Sequence, residues 1–101
     1  MKTLGTHNYY VYILTNKNKT VLYTGVTNDL NTRLYQHQNP ENLTKAFTAK
    51  YRCFYLIYFE IFQEIESAIK WEKTIKGWSR QKKDELITNF NSEWRFLNNE
   101  I

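Results

Sequence analysis

The two aromatic and β-branched runs near the start of the chain, YYVYILT ending at Thr15 and TVLYTGV from Thr20 to Val26, constrain the fold most. Such side chains suit the pleated, half-buried surface of a sheet, and the polar residues between them, Asn16-Lys17-Asn18-Lys19, supply a turn. The pair is predicted to be a hairpin. With those four residues as the whole loop, Thr15 faces Thr20, Leu14 faces Val21, Ile13 faces Leu22 and Tyr12 faces Tyr23, so two tyrosines become cross-strand neighbours on one face. A one-residue slip would separate them.

Gly25 stands where a glycine in a strand marks a bulge or a close backbone approach. Thr27, Asn28 and Asp29 are N-cap candidates for a helix through about Gln38, with Leu30 and Leu34 on its apolar side. Arg33 and His37 are four residues apart on that helix and therefore neighbours. Hairpin and helix together bring Tyr12, Tyr23, Arg33 and His37 within reach of one another.

The segment Asn39 to Ala49, with Pro40, is expected to be a surface loop. YRCFYLIYFEIF, from Tyr51 to Phe62, is the longest apolar stretch, and a third strand is expected at about Cys53 to Glu60, in the centre of the sheet because it is the most apolar. From Gln63 to Trp78 the spacing turns helical, with Ile65, Ala68, Ile69, Ile75 and Trp78 on one face. Glu72 falls within that stripe, where a carboxylate must be paired or bound to a metal, since burying it bare costs several kcal/mol, of order 2–7 even for a neutral polar group. Gly77 ends or bends this helix and Ser79 can cap another from Arg80 to Phe90. Trp94, Phe96 and Leu97 are expected to fold back on the core, whereas residues 1–7 form a loose lead-in.

One domain fits 101 residues, because a chain of this size can fill one hydrophobic core and not two. Its core should be aromatic: 17% of residues are Phe, Trp or Tyr, and with eight tyrosines some hydroxyls must find partners or sit at a wet margin. The formal net charge of +4 and pI near 9.2 favour a polyanionic partner. A lone cysteine, Cys53, excludes an internal disulfide framework and a cysteine-based zinc site. A cytoplasmic protein is expected, with no apolar run of the roughly 18 residues that a membrane span needs.

Tyr10-Val11-Tyr12, Tyr23-Thr24-Gly25, Arg33 with His37, and then Glu72 on a later helix resemble the GIY-YIG nuclease domain, in particular its small single-domain members. The similarity covers about residues 8 to 90. It implies an α+β fold, a small central three-stranded antiparallel sheet flanked by helices, and metal-dependent hydrolysis of DNA phosphodiesters, with a place in DNA repair or recombination. Tyr12 and Tyr23 match the tyrosines of the two triplets, Arg33 the helix arginine, Glu72 the metal-binding glutamate and His37 a histidine of many members. Two residues depart from the pattern: Tyr10 replaces the first glycine, and Thr24 replaces an isoleucine at a position read as structural.

In-line attack of water on a phosphodiester needs a base, positive charge on the phosphate oxygens and a stabilised leaving oxygen. Glu72 can hold one Mg²⁺ or Mn²⁺ with water at the other positions, and Arg33 can neutralise non-bridging oxygens bidentately. Tyr12 as general base rests on the resemblance, because a phenol with reference pKa near 10 becomes a base only if Arg33, a metal or a lysine favours the phenolate. Tyr23 would position water or phosphate, and His37 would assist proton transfer or the phosphate. Asn89 or Asn91 is a further candidate.

Lys45, Lys50, Lys73, Lys76, Arg80 and Lys83 are the expected DNA contacts, with Arg52, Lys70 and Lys82 nearby. Without a second reading domain, binding should be salt-sensitive and directed at DNA shape or ends, and other proteins could supply specificity. The alternative function is a non-catalytic nucleic-acid-binding or partner-binding module on the same fold.

Overall fold

The computed structural model describes residues 8–38 and 50–101; the lead-in and the loop around Pro40 lie outside the described residues. Strand β1, Tyr9–Thr15, is flanked by β2, Leu22–Thr27, and β3, Tyr55–Phe62, and is antiparallel to both. Helices α1, Leu30–Gln38, α2, Ile65–Lys76, and α3, Arg80–Phe90, cover the sheet, and a short 3-10 turn, Asn98–Glu100, follows. The α+β architecture is the expected one.

The caps follow the chemistry of the sequence. Asp29 accepts from the Thr32 backbone N–H at 3.1 Å and from its hydroxyl at 2.8 Å. Ser79 Oγ accepts from the Lys82 N–H at 3.2 Å, which satisfies one of the donors that a helix start leaves unpaired.

β1, rather than the more apolar third run, takes the centre. Every residue from Val11 to Thr15 is buried, whereas β3 exposes Glu60 and Ile61. The apolar character of β3 arises because its outer edge is covered by the tail. The Leu97 N–H donates to Leu56 O at 2.7 Å, and the Asn98 amide accepts from Leu56 N–H and donates to Phe54 O. Leu97 and Trp94 return to the core as expected.

The hairpin register also differs. Thr15 pairs with Leu22, Leu14 with Tyr23 and Tyr12 with Gly25, because the loop runs from Asn16 to Val21. Asn16 closes it: its Oδ1 accepts from the N–H groups of Thr20 at 2.8 Å and Val21 at 3.1 Å, and its Nδ2 donates to the Thr20 hydroxyl at 2.8 Å. This local side-chain bonding competes with the strand ladder and widens the turn. The shift is by two residues, so facing is conserved. Tyr12 and Tyr23 remain on one face as diagonal neighbours, with ring centroids 6.3 Å apart.

Two apolar clusters lie on opposite faces of the sheet. Tyr12 and Leu14 pack beneath Leu30 and Leu34 of α1, while Val11 and Ile13 pack against Ala68 and Ile75 of α2 and Ile87 of α3. The buried stripe of α2 narrows to Ala68, Glu72 and Ile75. Ile65 and Ile69, expected in the stripe, are exposed at its margin.

Asn91 ends α3 and is buried. Its Nδ2 donates to Ile57 O at 3.1 Å and Arg95 O at 2.8 Å, and its Oδ1 accepts from the Arg95 N–H at 3.1 Å. Asn91→Ala is expected to lower unfolding free energy by about 2–3 kcal/mol, because it removes these bonds and strands buried backbone groups. Urea denaturation checks this, and a loss below about 0.5 kcal/mol is the result expected only if the amide bonds contribute nothing net.

Candidate active site

Tyr12 is fully buried, yet its ring crosses to the edge strand β2 and ends over Gly25. A Cβ at Gly25 would lie 2.5 Å from the phenolic oxygen and 2.6 Å from Cζ, so no side chain fits there while the ring is in place. The glycine serves a close approach rather than a bulge. The irregularity in the sheet lies instead between β1 and β3, where Ile13 pairs with Tyr58 and Leu14 with Leu56.

Three residues gather at the phenol. The His37 Nε2 is 3.2 Å from the Tyr12 hydroxyl, and the Tyr23 ring meets the His37 ring edge-on at 5.6 Å. The positive Arg33 guanidinium lies close enough to act on the same phenol and pulls it toward ionisation. With the His37 ring proton on Nδ1, the Tyr12 O–H donates to Nε2. Arg33 and His37 approach one phenol because they lie one helical turn apart on α1.

Glu72, on α2, also acts on this phenol electrostatically. The carboxylate is largely buried and pairs with Lys76 one turn along, at 2.5 Å. The spacing Glu72-x-x-x-Lys76, with the glutamate N-terminal, was the available signal for this pair. Tyr23, Arg33 and His37 therefore gather at the Tyr12 phenol from β2 and α1, with Glu72 of α2 within electrostatic reach of it.

Arg33 does favour the phenolate, but it is outweighed. Burial foremost, and then Tyr23 and Glu72, push the Tyr12 phenol well above its ordinary value against the opposing pull of Arg33. His37 is pushed down to about 4, first by burial and then by the Arg33 charge. At neutral pH the site holds a protonated phenol against a neutral imidazole.

The remaining candidates separate. Asn91 is the buried clamp described above, and Asn89 is exposed on α3 beside Asp84 and Glu85. Arg80 is engaged within the protein: it pairs with Asp84 at 2.8 Å and donates to Thr20 O at 2.8 Å and Lys19 O at 3.0 Å, tying α3 to the hairpin loop. Lys76 faces Glu72 while half of its side chain stays exposed. Lys73 is exposed on the last turn of α2, Lys83 is half-buried on α3, and Lys50 lies 5.3 Å from the Tyr51 ring centroid. Lys45 is outside the described residues.

The sequence matches the GIY-YIG catalytic domain over residues 8–85, a span that holds all five converging residues. The chain belongs to the GIY-YIG family. This is a nuclease family, and its small UPF0213 members are similar to the chain over most of their length. UPF0213 protein SSP2268 of Staphylococcus saprophyticus is 38% identical over 80 residues, 79% of this chain and 94% of that one. A UPF0213 protein of Bacillus pumilus is 36% identical over 87 residues, 86% of each. The solution NMR structure of UPF0213 protein BH0048 from Bacillus halodurans is 34% identical, covers 80% of this chain and 83% of its own, and superposes with a TM-score of 0.51.

The two departures from the GIY-YIG pattern have plain settings. Thr24 is buried opposite Ile13, on the face away from the phenol. Tyr10 is half-buried and packs beside the Tyr12 cluster.

The lowered value of His37 links to stability. The unfolded imidazole, near 6.5, binds a proton that the folded one refuses down to about 4. The contribution is thus fully present above pH 6.5 and is lost as pH falls toward 4. Between pH 6.5 and 5 wild type is expected to lose about 1.5 kcal/mol more than His37→Gln. Urea midpoints of both proteins at the two pH values measure it, and parallel losses would rule it out.

Proposed function

We propose that this GIY-YIG domain hydrolyses DNA phosphodiester bonds as a divalent-metal-dependent endonuclease or nickase. The observation that carries the reading is the Tyr12 phenol, held by Arg33 and His37 with Glu72 acting on the same oxygen. A structural tyrosine requires one partner, and this one has an acid–base neighbour, a phosphate-binding cation and a carboxylate around it.

Glu72 is the one carboxylate acting there, and no group of three His, Cys, Asp or Glu side chains suited to a metal occurs among the described residues. That donor set fits a hard cation held by a single carboxylate, with water and phosphate oxygens completing its shell, and not an all-protein cage. Bound at Glu72, Mg²⁺ or Mn²⁺ supplies Lewis-acid charge to the phosphate and leaving oxygens and offsets the carboxylate's field at Tyr12.

The side chains divide the remaining work. Arg33, beside the phenol, moves onto a non-bridging phosphate oxygen and leaves the Tyr12 oxygen to water. Tyr12 then takes the proton of the attacking water while its own proton passes to His37 Nε2. No free phenolate forms in the buried site, so the relay avoids the state that burial disfavours most. Tyr23 positions the water or the phosphate. Lys73, Lys76 and Lys83 supply sequence-independent phosphate contacts.

The second reading, a nucleic-acid-binding or partner-binding module without turnover, is favoured by the Glu72–Lys76 pair, which keeps the carboxylate occupied. Incubation with supercoiled plasmid, branched DNA, single-stranded DNA and RNA, each with Mg²⁺, Mn²⁺ or chelator, separates the two. Wild type is expected to cut DNA only with metal, and Glu72→Gln, Tyr12→Phe and Gly25→Ala to cut at least about a hundredfold more slowly. Equal cutting by all four proteins sinks the catalytic assignment. Binding with a steep salt slope and no cutting establishes the module.

A further inference from the structure

At the hairpin end of the sheet, the β1–β2 loop and the chain entering β3 enclose a cleft of about 330 Å³ lined by Lys17, Asn18, Tyr51, Arg52, Phe54 and Tyr55. Asn16 also lines it, but its amide is engaged in closing the loop. The lining combines three aromatic rings, two cations and an exposed amide, with no carboxylate. Cations and rings continue around it. Lys50 Nζ is 5.3 Å from the Tyr51 centroid. The Tyr55 ring stacks on Phe96 at 4.3 Å and 19°, and Lys19 Nζ lies 5.2 Å from the far member of that pair.

Aromatic rings at a binding surface are ordinarily explained by packing, but Tyr51 is 41% exposed and Arg52 and Lys17 are exposed beside it. Rings to stack on, cations to meet phosphate and an amide to meet a base edge are the chemistry of a single-stranded nucleic-acid site. We propose that this cleft is a stacking site for an unpaired nucleobase of a DNA strand, with Lys17 and Arg52 on the phosphates beside it.

The cleft lies at the hairpin end of β1, where Tyr55 pairs with Thr15, three residues or ~10 Å of strand from Tyr12. A single strand bound at Tyr12 covers that distance within a few nucleotides. A paired base hides its faces within the stack, so the cleft selects frayed, branched or single-stranded DNA. This substrate preference rests on the nuclease reading, while the binding itself does not.

The test uses full-length Glu72→Gln protein in chelator, so that turnover plays no part. Short single strands carrying 2-aminopurine should lose fluorescence on binding. Tyr51→Ala should weaken single-strand affinity about tenfold and leave a blunt duplex of the same sequence unaffected, while Tyr51→Phe, which keeps the ring, retains affinity. Lys17→Gln should lower the salt slope by about 0.7. No quenching by the unsubstituted cleft, unchanged affinity in Tyr51→Ala, equal loss on the duplex, or tighter binding of the matched RNA overturns the proposal. If Glu72→Gln proves to cut DNA as wild type does, the catalytic reading fails while these binding results still decide the cleft.

Discussion

The seating of the Tyr12 ring on Gly25 is the contact on which the rest of the site depends. A buried phenol must have its hydroxyl satisfied, and the absence of a Cβ at Gly25 carries that hydroxyl to the edge strand of the sheet. There, side chains from helices on both faces can act on it. Arg33 and His37 descend from α1, whose start is held by the Asp29 cap. Glu72 acts from α2 on the opposite face. A side chain at residue 25 would displace the ring and leave these groups without a common centre.

Burial, rather than the nearest charge, decides the protonation of this centre. Arg33 favours the phenolate and Glu72 disfavours it, so the two charges oppose each other and desolvation dominates. The same burial, helped by Arg33, keeps His37 neutral. A protonated donor next to a neutral acceptor is the arrangement a proton relay requires. Glu72 can occupy the buried stripe of α2 because Lys76 pairs with it from the exposed side of the same helix; a carboxylate buried without a partner would cost several kcal/mol.

Much of this was legible because the signals are local. Alternating side chains, the Asp29 and Ser79 caps and the helical spacing around Glu72 are written within a few residues of one another. The register was not, since Asn16 bonds across its own loop in a way that residue type alone does not reveal. The two tyrosines still share a face because the shift is even. The place of β3 is hidden for a different reason: apolar content reports how much of a strand is covered, and here the tail and Asn91 cover an edge that a second strand would otherwise take. The site residues, drawn from four elements, became legible as a set through the family pattern, since no single spacing links Tyr12 to Glu72.

Charge illustrates the same separation between composition and placement. Every ion pair removes one charge of each sign, so the three pairs among the described residues leave the excess of +4 untouched. They do change where that excess can act. Arg80, at helical spacing from Lys73 and Lys76 and thus a natural phosphate ligand in sequence, is committed to Asp84 and to two carbonyls of the hairpin loop. In that role it holds the loop that sets the β1–β2 register and carries Lys17 and Asn18. The placement of those two residues at the aromatic cleft and the placement of Tyr12 over Gly25 are thus consequences of one loop geometry, fixed from inside by Asn16 and from outside by Arg80.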